Sequence, residues 1–161
     1  MIWVLLSIRS VISAYGKGLQ WKQAIDVFDE MKESGIVPNV ATYNSLIRAC
    51  EKGAQFDKAI GFFEEMKDQG IQPNAFSYCA VISACGKGEW KRAIGFFDEM
   101  QERDIPPNVF TYSALISACE KGAQFDKAVG YFEEMKERGV QPNAFTYSII
   151  LSAFEKGLQV E

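Results

Sequence analysis

The residues of this 161-residue chain that could do chemistry are amides and ammonium groups at a fixed step, and the usual parts for bond-breaking are missing. There is no histidine, which excludes Ser-His-Asp triads, Cys-His dyads and His-ligated metals together. Four cysteines occur, Cys50, Cys79, Cys85 and Cys119, and none forms a C-x-x-C pair, so a zinc or redox motif lacks its spacing. What recurs is the dipeptide Pro-Asn, at Pro38-Asn39, Pro73-Asn74, Pro107-Asn108 and Pro142-Asn143, with steps of 35, 34 and 35 residues. Lys17, Lys52, Lys87, Lys121 and Lys156 keep the same step, as do Gly18, Gly53, Gly88, Gly122 and Gly157. Such groups suit recognition by hydrogen bonds and charge. No cofactor or metal is expected, and no enzymatic activity.

The step itself identifies the elements that hold these residues. Residues 51–67, EKGAQFDKAIGFFEEMK, return at 120–136 with only two of seventeen positions changed, Ile60 to Val129 and Phe62 to Tyr131. Self-similarity at this period marks a solenoid of stacked supersecondary units. The frame is 5–39, 40–74, 75–108, 109–143 and a partial unit 144–161, together one domain, and the third unit is one residue short because GEWKRA follows Lys87 where GAQFDKA is usual. Each unit predicts two helices. In 40–53, Tyr43, Leu46, Ile47 and Cys50 make one apolar stripe, and Gly53 is expected to supply the left-handed residue that ends the helix. In 56–69, Phe56, Ala59, Ile60, Phe63 and Met66 make a second stripe, ended by Gly70 and Pro73. Neither helix buries its stripe alone; stacked on the next pair, both do. Cys50, Cys85 and Cys119 share a repeat position with Tyr15 and Phe154, so they are expected to fill the core. The chain is 48% hydrophobic and 24% charged, as a folded protein should be. No apolar run reaches transmembrane length. The apolar start, MIWVLLSIRSVISAY, is interrupted by Arg9 and has no small-residue cleavage site after it, so it is not read as a signal peptide.

The tetratricopeptide signature W-x2-L-G-x2-Y is absent. The segments VATYNSLIRACEKGAQFDKAIGFFEEMKDQGIQPN and VFTYSALISACEKGAQFDKAVGYFEEMKERGVQPN instead resemble the pentatricopeptide repeat family: T-Y-N/S-x-L-I-x-A-C, then K-G, K-A-x-x-x-F-E-E-M and G-x-x-P-N. The resemblance runs from residue 5 to about residue 157, with unit 5–39 divergent at LLSIRS. It implies an all-α, right-handed α-solenoid whose first helices line a groove for single-stranded RNA, one base per repeat, in mitochondria or plastids. The base-reading positions it implies are the fifth and last of each repeat: Arg9 with Asn39, Asn44 with Asn74, Cys79 with Asn108, and Ser113 with Asn143, while Ser148 opens a further pair. Asn with Asn implies a pyrimidine and Ser with Asn an adenine; Arg9 and Cys79 depart from the code. The lysines at 17, 52, 87, 121 and 156 would lie near phosphates.

Other readings of the same residues stand beside these. The four Asn residues after Pro precede helices, where Asn is a preferred N-cap. Ser113 and Ser148 could be solvated surface residues, and each lysine could simply sit at a helix C-terminus, where cations suit the dipole. Phe76, Phe110 and Phe145 could stack on bases, but packing between neighbouring units is the expectation adopted. The formal net charge of −4 and pI of about 5.0 argue against a polyanion partner until the charges are divided. The first-helix segments 5–18, 40–53, 75–88, 109–122 and 144–157 carry seven Lys/Arg against three Glu, a net of +4, and the rest carries ten against eighteen, −8. The acidity therefore belongs to the second helices. The zinc deaminase signature H-x-E with P-C-x-x-C is absent, and no nuclease-like segment follows. A rival expectation is a structural, protein-binding subunit of an organellar ribosome or membrane complex, with MIWVLL and YSIILSAF as apolar faces that want neighbours.

Overall fold

The computed structural model describes residues 21–86 and 89–160. Eight helices occur among them and no strand: α1 (Trp21–Glu33), α2 (Val40–Lys52), α3 (Phe56–Asp68), α4 (Ala75–Ala84), α5 (Trp90–Glu102), α6 (Val109–Lys121), α7 (Phe125–Glu137) and α8 (Ala144–Val160). The first helices of the repeats begin at Val40, Ala75, Val109 and Ala144, where the sequence frame places them. The chain divides into two compact units, Met1–Ala84 and Cys85–Glu161.

In the first unit α2 packs on α1, α3 and α4. Its stripe is fully used: Tyr43, Leu46, Ile47 and Cys50 are buried, as are Ala59, Ile60, Phe63 and Met66 of α3, with Phe56 half-buried. In the second unit α6 packs in the same way on α5, α7 and α8. One aromatic pair recurs wherever a second helix meets the next first helix. Phe28 meets Tyr43 edge-on at 5.3 Å, Phe63 meets Tyr78 at 5.2 Å, Phe97 meets Tyr112 at 5.2 Å and Phe132 meets Tyr147 at 5.6 Å. Two of these tyrosines also reach forward, Tyr43 donating to Glu65 (3.0 Å) and Tyr112 to Glu134 (3.1 Å). Each thus ties its helix to the second helix before it and to the one after it.

The ends of the first helices correct one expectation. Gly53 and Gly122 are not left-handed, with φ of −81° and −84°. The left-handed residues are the next ones, Ala54 and Ala123, both at φ 57°. Gln55 N–H then donates to Cys50 O, and Gln124 N–H to Cys119 O, each at 2.8 Å, the six-to-one bond of a Schellman ending. The glycines are needed for another reason. A Cβ on Gly53 would lie 2.2 Å from Trp21 Cδ1, and one on Gly122 would lie 2.3 Å from Trp90 Cδ1, so an indole from the preceding second helix occupies that space. Helix α3 does end as expected, on a left-handed Gly70 (φ 76°) with Ile71 N–H donating to Met66 O. Helix α4 stops at Ala84, three residues before the position where α2 and α6 end, because Gly86 stands where they have glutamate and glycine propagates a helix poorly. Cys50, Cys85 and Cys119 are buried core residues, as expected. Burial pushes their thiols up to about 11, 12 and 11.

Candidate nucleic-acid interface

The site grows from the start of each first helix. Asn39 caps α2: its Oδ1 accepts from Thr42 N–H at 3.0 Å, and Thr42 Oγ1 accepts in return from Asn39 N–H. Asn74 and Ser77 do the same at α4, Asn108 and Thr111 at α6, and Asn143 and Thr146 at α8. All four last-position asparagines are therefore N-caps. The cap orients the amide, because Oδ1 faces the helix and Nδ2 is turned away from it. Among the described residues, Nδ2 of Asn74, Asn108 and Asn143 meets no protein acceptor, and all three side chains are exposed.

The hydroxyl of the capping box also links the two positions expected to read a base. Ser77 Oγ donates to Asn44 Oδ1 at 2.6 Å and lies 3.1 Å from Asn74 Oδ1, while Asn44 Nδ2 donates to Asn74 Oδ1 at 3.1 Å. In the second unit Ser113 Oγ lies 2.9 Å from Thr146 Oγ1, which lies 2.9 Å from Asn143 Oδ1. The structure thus brings Asn44 together with Asn74, and Ser113 together with Asn143, each through one bridging hydroxyl. Ser77 and Thr146 were not expected at the site. Their signal was the Thr/Ser that opens each Thr/Ser-Tyr pair. The surface reading of Ser113 fails, because its side chain is buried, whereas Ser148 is exposed and donates to Ala144 O at 2.9 Å. Cys79 is half-buried; burial raises its thiol pKa, and the Arg48 guanidinium opposes that rise. Arg9, Lys17 and Lys87 lie outside the described residues.

Phe76, Phe110 and Phe145 correct a second expectation. They are 70%, 65% and 60% exposed, so they do not pack between neighbouring units. Each follows a helix's first residue, two positions after the capping Asn. Lys52 and Lys121 close α2 and α6 and are exposed, with no carboxylate in ion-pairing range among the described residues. Lys156 differs. It pairs with Glu120 of the previous repeat, whose carboxylate also accepts from Ser152 Oγ at 2.9 Å. Burial alone would push Glu120 up, but the bonds from Lys156 and Ser152 outweigh it and hold the carboxyl below its ordinary range.

An outward amide donor with an exposed phenyl beside it recurs at the starts of α4, α6 and α8, and an exposed lysine closes α2 and α6. The sequence profile of the pentatricopeptide repeat domain matches residues 8–53, 26–88 and 95–156, and that of the PPR repeat matches 76–105. The chain belongs to the pentatricopeptide repeat family. Pentatricopeptide repeat protein PPR10 in complex with an 18-nt psaJ RNA element is similar at TM-score 0.84 and 26% identity, over 97% of this chain and 23% of that one. PPR10 from maize is similar at TM-score 0.76 and 28% identity over 93% of this chain and 22% of that one. The PPR domain of Arabidopsis thaliana protein-only RNase P 1, in complex with tRNA, matches at TM-score 0.69 and 23% identity, over 84% and 71% of the two chains. That last likeness bears on fold alone. This chain spans under a quarter of PPR10's length. No curated protein sequence matches it. The α-solenoid of helix–turn–helix repeats expected from the 35-residue step is the fold these structures share.

Proposed function

We propose that this chain is a non-catalytic, sequence-selective binder of single-stranded RNA, its repeats acting as one domain in organellar RNA metabolism, in a mitochondrion or plastid as the family implies. The observation that carries the reading is the divided use of each last-position asparagine. Asn74 Oδ1 already accepts from Ser77 N–H and Asn44 Nδ2, so only its Nδ2 donors remain for a base. A donor complements the ring nitrogen lone pair of cytosine N3 or adenine N1, and it opposes the N–H of uracil or guanine. Asn44 with Asn74 then reads a pyrimidine, cytosine ahead of uracil. Ser113 with Asn143 leaves room for the larger adenine, and Cys79 with Asn108 selects weakly because a thiol donates poorly. Phe76, Phe110 and Phe145 offer faces on which neighbouring bases stack. With RNA running 5′ to 3′ along the repeats, the site reads pyrimidine–any–A. The similarity to PPR10 with bound RNA supports RNA as the partner.

The rival, a protein-binding subunit, draws on α8, where Tyr147, Leu151, Phe154 and Leu158 are exposed. It accounts for neither the outward amides nor the phenyl row. Filter binding of the chain to random-sequence single-stranded RNA separates the two. RNA should be retained, double-stranded competitor should fail to displace it, and Lys52→Glu with Lys121→Glu should abolish retention. Glu64→Gln with Glu133→Gln should leave it nearly unchanged. Equal effects from the two pairs, or no retention at all, would overturn the RNA reading.

A further inference from the structure

The lysines of the row do not have equal surroundings. One residue before each lysine, at the same repeat position, the chain has Gly16, Glu51, Gly86, Glu120 and Glu155. Glu120 on α6 reaches into the next repeat: it is 7% exposed, accepts from Ser152 Oγ at 2.9 Å, and takes the Lys156 ammonium as an ion-pair partner. Ser152 and Lys156 are four residues apart on α8, so one carboxylate meets both. Glu51 repeats the first half of this arrangement, accepting from Ser83 Oγ at 3.1 Å. Ser117 and Lys121 have the same spacing on α6, but the preceding repeat offers them Gly86, which has no carboxylate. One repeat before Lys52 the matching position in the sequence is Gly16, which likewise has no carboxylate.

We propose, resting on the RNA reading above, that Glu120 competes inside the protein with phosphate for Lys156. The row is then used unequally, with Lys52 and Lys121 carrying phosphate contact and Lys156 held back by the glutamate of the preceding repeat. The chemistry follows from burial. Lys156 cannot move to a phosphate without leaving a largely buried carboxylate with Ser152 as its remaining partner, and a buried charge that loses its counter-ion is costly. Lys52 and Lys121 lose only water. The Gly-or-Glu choice at this position is thus a setting, repeat by repeat, of how strongly the backbone of a single strand is held. The same choice leaves base reading to the asparagine pairs, which sit at the opposite end of each first helix.

A double-mutant cycle on the whole chain tests this, with RNA affinity read by filter binding on random-sequence single-stranded RNA across a salt series. Glu120→Gln keeps the size of the side chain and an acceptor for Ser152 but removes the charge. It should tighten binding roughly two- to fivefold, the scale of an ion pair whose lysine end is exposed. It should also steepen the slope of log K against log salt by about 0.7, the increment for one phosphate on a single strand. In the Lys156→Ala chain the same Glu120→Gln change should give neither effect. Far-UV circular dichroism and thermal melting check the fold of each chain. If Gln perturbs it, Glu120→Ala, which removes the charge and keeps a strong helix former inside α6, takes its place in the cycle. An equal gain with and without Lys156 would mean that the carboxylate acts only by its general field, and would overturn the proposal. So would no gain in either background while the parent chain binds RNA. Loss of binding in every chain, the parent included, would overturn the RNA reading itself and this inference with it.

Discussion

Gly122→Ala isolates what the repeated glycine is for. At φ −84° and ψ 10° alanine is conformationally allowed, and removing a glycine stiffens the unfolded chain, so with no neighbour the change would stabilise by about 0.4–1 kcal/mol. The neighbour reverses the sign. The new Cβ would lie 2.3 Å from Trp90 Cδ1, more than an ångström inside ordinary contact, and 2.9 Å from Cγ. The half-buried ring must swing outward and lose packing, an overpacking cost of about 1–3 kcal/mol. The net expectation is destabilisation by about 1–2 kcal/mol, seen as a lower midpoint in urea unfolding followed by far-UV circular dichroism. Two companions sharpen the test. In the Trp90→Ala background Gly122→Ala should cost nothing or stabilise. Gly157→Ala, whose Cβ would meet Phe125 at an ordinary 3.7 Å, should be neutral or stabilise by up to about 1 kcal/mol inside its helix. If Gly122→Ala stabilises the parent chain, or costs the same with and without Trp90, the indole is not the reason for the glycine.

Three further outcomes follow from the same geometry. Ser113→Asn should move the base preference opposite the fourth repeat from adenine toward pyrimidine, by about 1–2 kcal/mol, with the preference at Asn44 and Asn74 unchanged, in a binding assay on randomised RNA. A uniform change in affinity would make Ser113 a packing residue only. Tyr112 and Tyr131 are pushed up to about 12, burial first and nearby acidic groups second, including Glu134 for both. A raised phenol favours the folded state while it keeps its proton, so that contribution is full below about pH 10 and is lost as pH rises toward 12; stability measured between those limits should fall, and Tyr112→Phe should make the fall shallower. Cys50, Cys85 and Cys119, buried and with raised thiols, should react with a thiol reagent at neutral pH only on unfolding, and rapid modification of all four cysteines in the folded chain would contradict their place in the core.

How far the sequence could carry these conclusions depended on how local each cause is. The starts of α2, α4, α6 and α8 were legible to the residue because Pro-Asn, the hydroxyl three residues on and the apolar stripe are all short-range signals, written four times over. Capping was legible for the same reason. What was hidden was that capping uses one end of the amide and leaves the other free, since that requires knowing that Ser77 and Thr146 bridge to Asn44 and Ser113, 33 residues earlier. Gly53 was misread because glycine after a helix usually signals a left-handed turn, and nothing within its own turn announces Trp21. The exposed Phe76, Phe110 and Phe145 were misjudged because a phenylalanine that recurs from one helical repeat to the next most often packs, and here the helix start turns it outward.

The lysine row is the instructive case. Identity at five positions suggested a shared place near phosphates, yet on the proposal above what a lysine can do is set by the residue one repeat earlier. That residue was visible all along as an irregular series, Gly16, Glu51, Gly86, Glu120 and Glu155, inside an otherwise regular repeat. In a solenoid, where each unit is the environment of the next, the informative positions include those at which the copies disagree. On that proposal, a position that varies between charged and empty, paired with a position that never varies, adjusts the invariant one. The recognition chemistry proposed for this chain is therefore written across the repeat boundaries: Asn44 bonds to Ser77, Ser113 to Thr146, and Lys156 pairs with Glu120.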